Sequence, residues 1–260
     1  MTGIDVSLGE VAASLVLVAI AAAVSFRWRI GLERDIGIAV VRSFIQLTAI
    51  GYVVLLIFDV DSLWLVLALL AAMVLVGTFT ARGRASGVPD AFVPLLIALA
   101  AATALTLGLV LALGIFEPTP RYLVPVGGMV IGNAMAAAAV ALDRLGSEVR
   151  SHENEIEATL ALGATGARAI RPHLRRSVRA GMLALVLQTK TTGLIAFPGV
   201  MVGMLLAGAE PVDAVRLQLI LLYVLLGGVS IAALTATLLA AGRFFTAAHQ
   251  LRDLPPADAD

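Results

Sequence analysis

Long apolar segments with few charges are the feature that most constrains this chain. Each can cross the roughly 30 Å hydrocarbon layer of a bilayer as a helix, at about 1.5 Å per residue. The segments cover residues 8–26, 36–58, 63–81, 91–115, 122–142, 178–208 and 217–242. A soluble domain needs roughly a quarter charged residues, whereas this chain has 14%. The sequence therefore predicts an all-α polytopic membrane protein with about seven transmembrane helices.

The sixth segment, residues 178–208, is too long for one straight crossing. Pro198 and Gly199 lie inside it, and a proline within a helix removes a backbone hydrogen bond and clashes with the preceding turn. We therefore predict a kinked or broken helix, with Pro198 and Gly199 as its hinge. A re-entrant hairpin at this point, which gives six or eight spans, is the alternative.

The basic residues fall mainly on one side of the predicted bundle. Those on that side are Arg27, Arg29, Arg34, Arg42, Arg82, Arg84, Arg144, Arg150, Arg168, Arg171, Arg175, Arg176, Arg179, Arg243 and Arg252. Arg121 and Arg216 fall on the opposite side, and Lys190 falls within the membrane. Cytoplasmic loops carry the excess of Lys and Arg, so we expect a multi-pass protein of the cell (inner) membrane with its N-terminus outside and its C-terminus in the cytoplasm.

The chain is expected to consist of one domain and a short tail. Residues 1–252 are predicted to form one transmembrane permease domain, and residues 253–260, a short tail rich in Pro and Asp, to be disordered. Membrane lipid is the expected surrounding of the domain.

A charged connector at residues 143–179 is the main soluble element of the sequence. It predicts a helix, a break at Gly163 and a short helix capped by Thr165, with Pro172 after one or two turns. We expect a coupling helix at about residues 157–172. A helix of this kind is suited to dock into a groove of another protein.

The connector contains the pattern EAxxxLGA, which resembles the EAA-type cytoplasmic signature of ABC permeases. The residues that carry the pattern, with the threonine that follows, are Glu157, Ala158, Leu162, Gly163, Ala164 and Thr165. The resemblance implies that these residues couple the membrane domain to a separate ATPase subunit.

Four motifs in order extend the resemblance to one family, the FetB-type permeases. They occupy residues 32–54, 128–135, 160–165 and 190–218. FetB-type permeases are bacterial ABC membrane subunits proposed to export iron, and their plant relatives act in aluminium tolerance. The resemblance implies a homodimeric permease that exports iron or another metal, free or as a chelate, with a cognate ATPase subunit. At Ala136 and Leu187 the chain departs from the usual family pattern, which leaves the substrate open.

Motifs for nucleotide hydrolysis are absent from the sequence. It has no G-x-x-x-x-G-K-[ST] loop, since its one lysine, Lys190, follows Gln-Thr, and it has neither HExxH nor GxSxG. We therefore expect no enzymatic activity and no cofactor in this chain. ATP and Mg are expected in the partner ATPase, and no nucleic-acid partner is expected.

Polar residues at membrane depth are the candidates for a substrate pathway, because each is costly there unless it pairs or faces water. The candidates are Arg42, Gln46, Asn133, Gln188, Thr189, Lys190, Thr191 and Thr192. Arg42 and Gln46 are four residues apart and so share a helix face. The alternative is structural, since Arg42 can reach the membrane interface, and Asn and Thr join helices by hydrogen bonds.

The charge of Lys190 in the predicted pathway favours an anionic substrate. A cation at Lys190 repels a bare metal ion and favours a chelated metal, a carboxylate or a phosphorylated compound. Methionine thioethers could serve as soft metal ligands, although such residues more often fill the core. The weak candidates are Met129, Met135, Met201 and Met204.

Two other functions stay open from the sequence. One is a stand-alone secondary transporter of a small anionic solute, with Lys190 and the break at Pro198 forming a site at the membrane midplane. The other is an ABC permease for a sugar nucleotide or an organic anion.

Overall fold

The computed structural model describes residues 7–60, 62–85, 87–246, 248 and 250–252. Nine α-helices form within these residues, followed by a short 3-10 turn at Gly242–Phe244. The helices are α1 Leu8–Arg27, α2 Glu33–Val60, α3 Leu63–Arg82, α4 Phe92–Ala112, α5 Pro120–Ser151, α6 Glu153–Ala161, α7 Gly166–Thr191, α8 Gly199–Leu206 and α9 Pro211–Ala241. The tail predicted to be disordered, residues 253–260, lies outside the described residues.

Six of the described helices are long and apolar enough to cross a membrane, namely α1 to α5 and α9. They match six of the seven predicted segments. The prediction of an all-α polytopic membrane protein is therefore confirmed, while the remaining segment, residues 178–208, has a different structure.

The predicted interruption of residues 178–208 is present, but it begins before Pro198. Helix α7 ends at Thr191, the chain is extended at Thr192, and Gly193 has a φ of 87°. Pro198 then takes the N-cap position of α8, where a residue of extended conformation begins a new helix. Residues 178–208 are thus divided between the end of α7 and the short α8.

Helix α5 is the centre of the bundle and packs against α3, α4, α7 and α9. Small residues allow close approach at the crossings, as is usual between membrane helices. A methyl group built on Gly127 of α5 would lie 2.4 Å from Cδ2 of Leu70 in α3. One built on Gly181 of α7 would lie 2.5 Å from the carbonyl oxygen of Ala137 in α5. The glycines therefore set the helix separations.

The hairpin formed by α1 and α2 lies at the edge of the bundle. Most of its apolar side chains are exposed, and Val54 and Ile57 near the end of α2 are its residues packed against the main core. Ser7 and Glu10 form a capping box at the start of α1, which satisfies backbone donors at that end. An apolar surface of this kind suits contact with lipid.

Several loops meet at one end of the bundle. Arg243 after α9 pairs with Asp90 before α4, with 3.4 Å between Nη1 and Oδ2. The backbone of Gly87 lies against Gly146 near the end of α5. Gly166 at the start of α7 lies under the ring of Phe245. The basic α3–α4 loop, the connector and the C-terminal segment therefore share one end of the molecule, as the charge pattern requires.

Candidate functional site

The connector consists of the end of α5, the short α6, a turn and the start of α7. The expected coupling helix at residues 157–172 is not one continuous helix, because α6 ends at Ala161 and α7 begins at Gly166. The break at Gly163 is confirmed. Pro172 does not end the second helix after one or two turns as predicted, since α7 continues past it to Thr191. The small and apolar face of α7, packed against α5, supports the helix beyond the proline.

The turn between α6 and α7 has a defined geometry at Gly163. The N–H of Gly163 donates to the carbonyl of Leu160 at 2.9 Å, and the N–H of Ala164 donates to that of Thr159 at 3.3 Å. This pair of bonds is a Schellman motif, which places a left-handed residue just beyond the helix. Gly163 has a φ of 85°, a conformation that glycine adopts without steric cost.

The residues of the EAxxxLGA pattern form an exposed tip. Leu162 is 90% exposed, and Glu157, Ala158, Gly163 and Thr165 are also exposed, with Ala164 half-buried. Thr165 occupies the N-cap position of α7, although its hydroxyl makes no capping hydrogen bond. Ile156 anchors the tip in the core. The connector therefore presents an apolar side chain to solvent on a fixed support.

Helix α7 has two different faces along its first half. Its arginines at 168, 171, 175, 176 and 179 are exposed. The buried positions recur every three or four residues, which is the spacing of one helix face. They are Gly166, Ala169, Ile170, His173, Ser177, Gly181 and Leu185. This buried face packs α7 along α5 from the connector into the membrane-spanning region.

A buried carboxylate joins α5 to α7 at the base of the connector. The Glu148 side chain is 3% exposed, and Oε2 lies 3.2 Å from Nδ1 of His173 and 3.1 Å from Nη1 of Arg176, which donates to it. Arg144 donates to the other carboxylate oxygen. Nδ1 of His152 lies 3.8 Å from Oε2. We call these five residues the Glu148 cluster.

Electrostatics explains why Glu148 can be buried. A buried carboxylate is costly unless it is paired and hydrogen-bonded. Here it faces the guanidinium of Arg144 on its own helix and, from α7, the guanidinium of Arg176 and the imidazole of His173. Bonds to charged groups each contribute about 1.5–3 kcal/mol in favourable cases, and the half-exposed arginines reduce that figure through solvent screening. The Glu148 cluster therefore fixes α5 and α7 together below the tip.

The Glu148 cluster was not predicted from the sequence. Glu148 and His152 are four residues apart, so a helix places them on one face, and His173 lies at a buried position of α7. The spacing of Glu148 and His152 could have been recognised in the sequence. The contact between Glu148 and His173 could not, because it depends on how α5 packs against α7.

The predicted pathway residues of α2 are exposed. Arg42 and Gln46 line one shallow groove along α2, which confirms that they share a face. Helix α2 packs against α5 and the main core through Val54 and Ile57, farther along the helix than this groove. Within the described part of the chain, Arg42 has no ion-pair partner.

The predicted polar residues of α5 and α7 are partly satisfied by their own helices. Asn133 donates to the carbonyl of Met129 at 2.8 Å. The hydroxyls of Thr189, Thr191 and Thr192 donate to carbonyls of the preceding turn, a common arrangement for Thr in helices.

Gln188 and Lys190 differ from these threonines. Both are exposed in the last turn of α7. Among the described residues, Lys190 has no ion-pair partner.

The four methionines divide into two groups. Met129 and Met135 of α5 pack against the apolar core, which is the usual role of this flexible side chain. Met201 and Met204 are half-buried on α8. The four methionines thus belong to two different helices, α5 and α8.

Comparison with known proteins places the whole bundle in one group. The family model described as "Uncharacterised protein family (UPF0014)" matches residues 8–245. The chain is 39% identical to "UPF0014 membrane protein STAR2" of Oryza sativa subsp. japonica, over 93% of this chain and 85% of that protein. It is 37% identical to "Protein ALUMINUM SENSITIVE 3" of Arabidopsis thaliana, over 93% and 88% respectively.

A bacterial relative matches over nearly its full length. The chain is 33% identical to "Probable iron export permease protein FetB" of Escherichia coli (strain K12), over 96% of this chain and 97% of that protein. No solved structure matches the chain. The family match covers α1 to α9 together with the connector, and the protein belongs to the UPF0014 family of membrane proteins.

Proposed function

We propose that this protein is the membrane-spanning permease subunit of an ABC transporter that exports iron or another metal, with ATP and Mg bound by a separate ATPase subunit. The observation that carries the proposal is the exposed tip of the connector. An apolar side chain, Leu162, stands on a short helix that is anchored by buried Ile156. Single exposed leucines are ordinary, but this one lies within the pattern that resembles the coupling signature of ABC permeases.

Coupling follows from how the connector is built. Force applied at Leu162 reaches α7 through the turn at Gly163, and α7 is fixed to α5 by the Glu148 cluster and the close contact at Gly181. The two helices therefore move together, since packed elements shift as units rather than deform continuously. Flexibility is expected at Gly163 and at the break that ends with Pro198 and Gly199.

A second copy of the chain explains the exposed charges of the protomer. Arg42 and Lys190 lie on helices that enter the membrane, and a charged side chain facing lipid is costly. A homodimer would place such residues against protein or along an aqueous pathway between the copies. Gln46 and Gln188, which lie near them in sequence, would line the same pathway, with Asn133 and Thr189, Thr191 and Thr192 contributing at its edges.

Orientation of the protein follows from the end at which the basic loops meet. The connector and the C-terminal segment lie at that end. Because basic loops face the cytoplasm, we place this end in the cytoplasm and the N-terminus outside. This orientation gives a cytoplasmic ATPase access to Leu162.

The metal is proposed as cargo from the name of the bacterial relative, a probable iron export permease. Lys190 favours a metal that travels as an anionic chelate over a bare cation, because like charges repel. The Arabidopsis thaliana relative is named for aluminium sensitivity, so the proposal includes metals other than iron.

Transport in proteoliposomes tests the proposal. The purified permease, alone or with its cognate ATPase subunit, is reconstituted, and movement of Fe²⁺ and of ferric citrate is measured with and without ATP. We expect transport only with both the ATPase and ATP. Equal transport by the permease alone, driven by an ion gradient, would instead establish a secondary transporter. Movement of sugar nucleotides or organic anions, without any metal, would refute the metal cargo while keeping the ABC assignment.

A further inference from the structure

Three side chains with metal-binding atoms meet inside the Glu148 cluster. Glu148, His152 and His173 each offer one such atom, and these atoms lie within 4.8 Å of one another. Oε2 of Glu148 is 3.2 Å from Nδ1 of His173 and 3.8 Å from Nδ1 of His152. The two imidazole rings have centroids 4.8 Å apart. The three groups come from the end of α5 and from α7, so the fold itself brings them together.

We propose that Glu148, His152 and His173 form a binding site for a divalent first-row transition metal such as Fe²⁺, Co²⁺ or Zn²⁺. Two imidazoles with one carboxylate are a donor set that suits these ions, whereas Mg²⁺ and Ca²⁺ prefer sites built from oxygen. The site is separate from the predicted pathway of Lys190 and Asn133. Its occupation concerns binding alone and does not depend on the transport function proposed above.

The distances fit such an ion after a small adjustment. With metal–ligand bonds of about 2.0–2.2 Å in tetrahedral geometry, the ligand atoms lie about 3.3 Å apart. Oε2 of Glu148 and Nδ1 of His173 are already 3.2 Å apart, and both residues are buried. The side chain of His152 is 33% exposed and stands at the junction of α5 and α6, where it can rotate. This movement would also release the 2.9 Å contact between its Nδ1 and the carbonyl oxygen of Glu148.

Two arginines compete with a metal for the same carboxylate. Arg144 and Arg176 contact Glu148, and a nearby positive charge opposes binding of a cation. Their side chains are 52% and 58% exposed, so both can turn into solvent when a metal enters. The metal and the arginines are therefore alternative partners of Glu148, and removal of an arginine should strengthen metal binding.

Cobalt provides a direct test, because Co²⁺ in a tetrahedral protein site absorbs visible light much more strongly than hydrated Co²⁺. The full chain, purified in detergent without a histidine tag, is titrated with Co²⁺ and then with Zn²⁺. We expect one Co²⁺ per chain, displaced by Zn²⁺. His152→Ala should weaken binding at least about 10-fold, whereas His249→Ala, which replaces the third histidine of the sequence, should leave it unchanged.

The substitution Arg176→Gln should change the affinity for Co²⁺ in the opposite direction to His152→Ala. It should tighten Co²⁺ binding several-fold, a result that a merely structural role of the cluster would not produce. Both His152 and Arg176 are partly exposed, so their replacement should leave the fold intact, which size-exclusion chromatography checks. Absence of Co²⁺ binding to the wild-type chain at millimolar concentration, unchanged binding in His152→Ala, or weaker binding in Arg176→Gln would each overturn the site.

Discussion

Gly181→Val is expected to separate α5 from α7 and to destabilise the bundle more than any other single change considered for the membrane region. Even the first carbon of the new side chain would lie 2.5 Å from the carbonyl oxygen of Ala137 and 2.9 Å from Cβ of Ala141. Overpacking of a core commonly costs about 1–3 kcal/mol. Here the obstacle is backbone, which cannot rotate away, so we expect a cost at the upper end of that range or beyond it.

Thermal unfolding of the detergent-solubilised protein, followed by size-exclusion chromatography, measures this effect. We expect the midpoint to fall by at least about 5 °C, given that 1 kcal/mol shifts a chain of this length by about 2–4 °C. Gly132→Val is the matched control, because Gly132 of α5 has no atom within 4 Å of the added carbon. Similar midpoints for the two variants would show that α5 and α7 do not pack as described.

Leu162→Asp is expected to abolish recruitment of the ATPase subunit and transport, while the permease itself stays folded. The side chain is 90% exposed, so its replacement removes no internal contact of the protomer. A central apolar anchor of an interface commonly contributes about 2–4 kcal/mol, which corresponds to a loss of binding of roughly 30- to 1,000-fold. The added carboxylate also resists transfer into an apolar groove.

Co-purification of the ATPase with tagged permease gives the measurement, and two further variants control it. Asn154→Asp introduces the same charge at an exposed position near the other end of α6 and should bind normally. Leu162→Met preserves an apolar side chain and should retain most of the binding. Normal recruitment by Leu162→Asp would show that the tip does not dock the ATPase.

The fold was predictable where composition and length decide it. Apolar segments of sufficient length account for α1 to α5 and α9, because the bilayer demands helices that satisfy their own backbone. The break after α7 was predicted from Pro198, but its position was not. Gly193 and the extended Thr192 end the helix earlier, and single-residue signals of that kind are weak within an apolar run.

The connector shows a similar division. A docking element at the EAxxxLGA pattern was predicted because the pattern lies within contiguous sequence, although it was expected as a coupling helix at residues 157–172 and the structure has two helices joined by a turn there. Helix α7 was expected to end near Pro172, yet it continues, since the packing of Ile170, His173 and Ser177 against α5 outweighs the loss of one hydrogen bond. The Glu148 cluster was missed because His173 and Arg176 lie 25 and 28 residues after Glu148 along the chain.

Labelling of a single cysteine at the tip tests the central claim most directly. The chain has no cysteine, so Ala161→Cys, at an exposed position beside Leu162 that leaves the docking leucine in place, gives one reactive thiol without background. A membrane-impermeant maleimide should label it in inside-out vesicles but not in right-side-out vesicles. Bound ATPase subunit should block the labelling. Labelling from the exterior, or labelling that the ATPase leaves unchanged, would contradict a cytoplasmic docking tip on this permease.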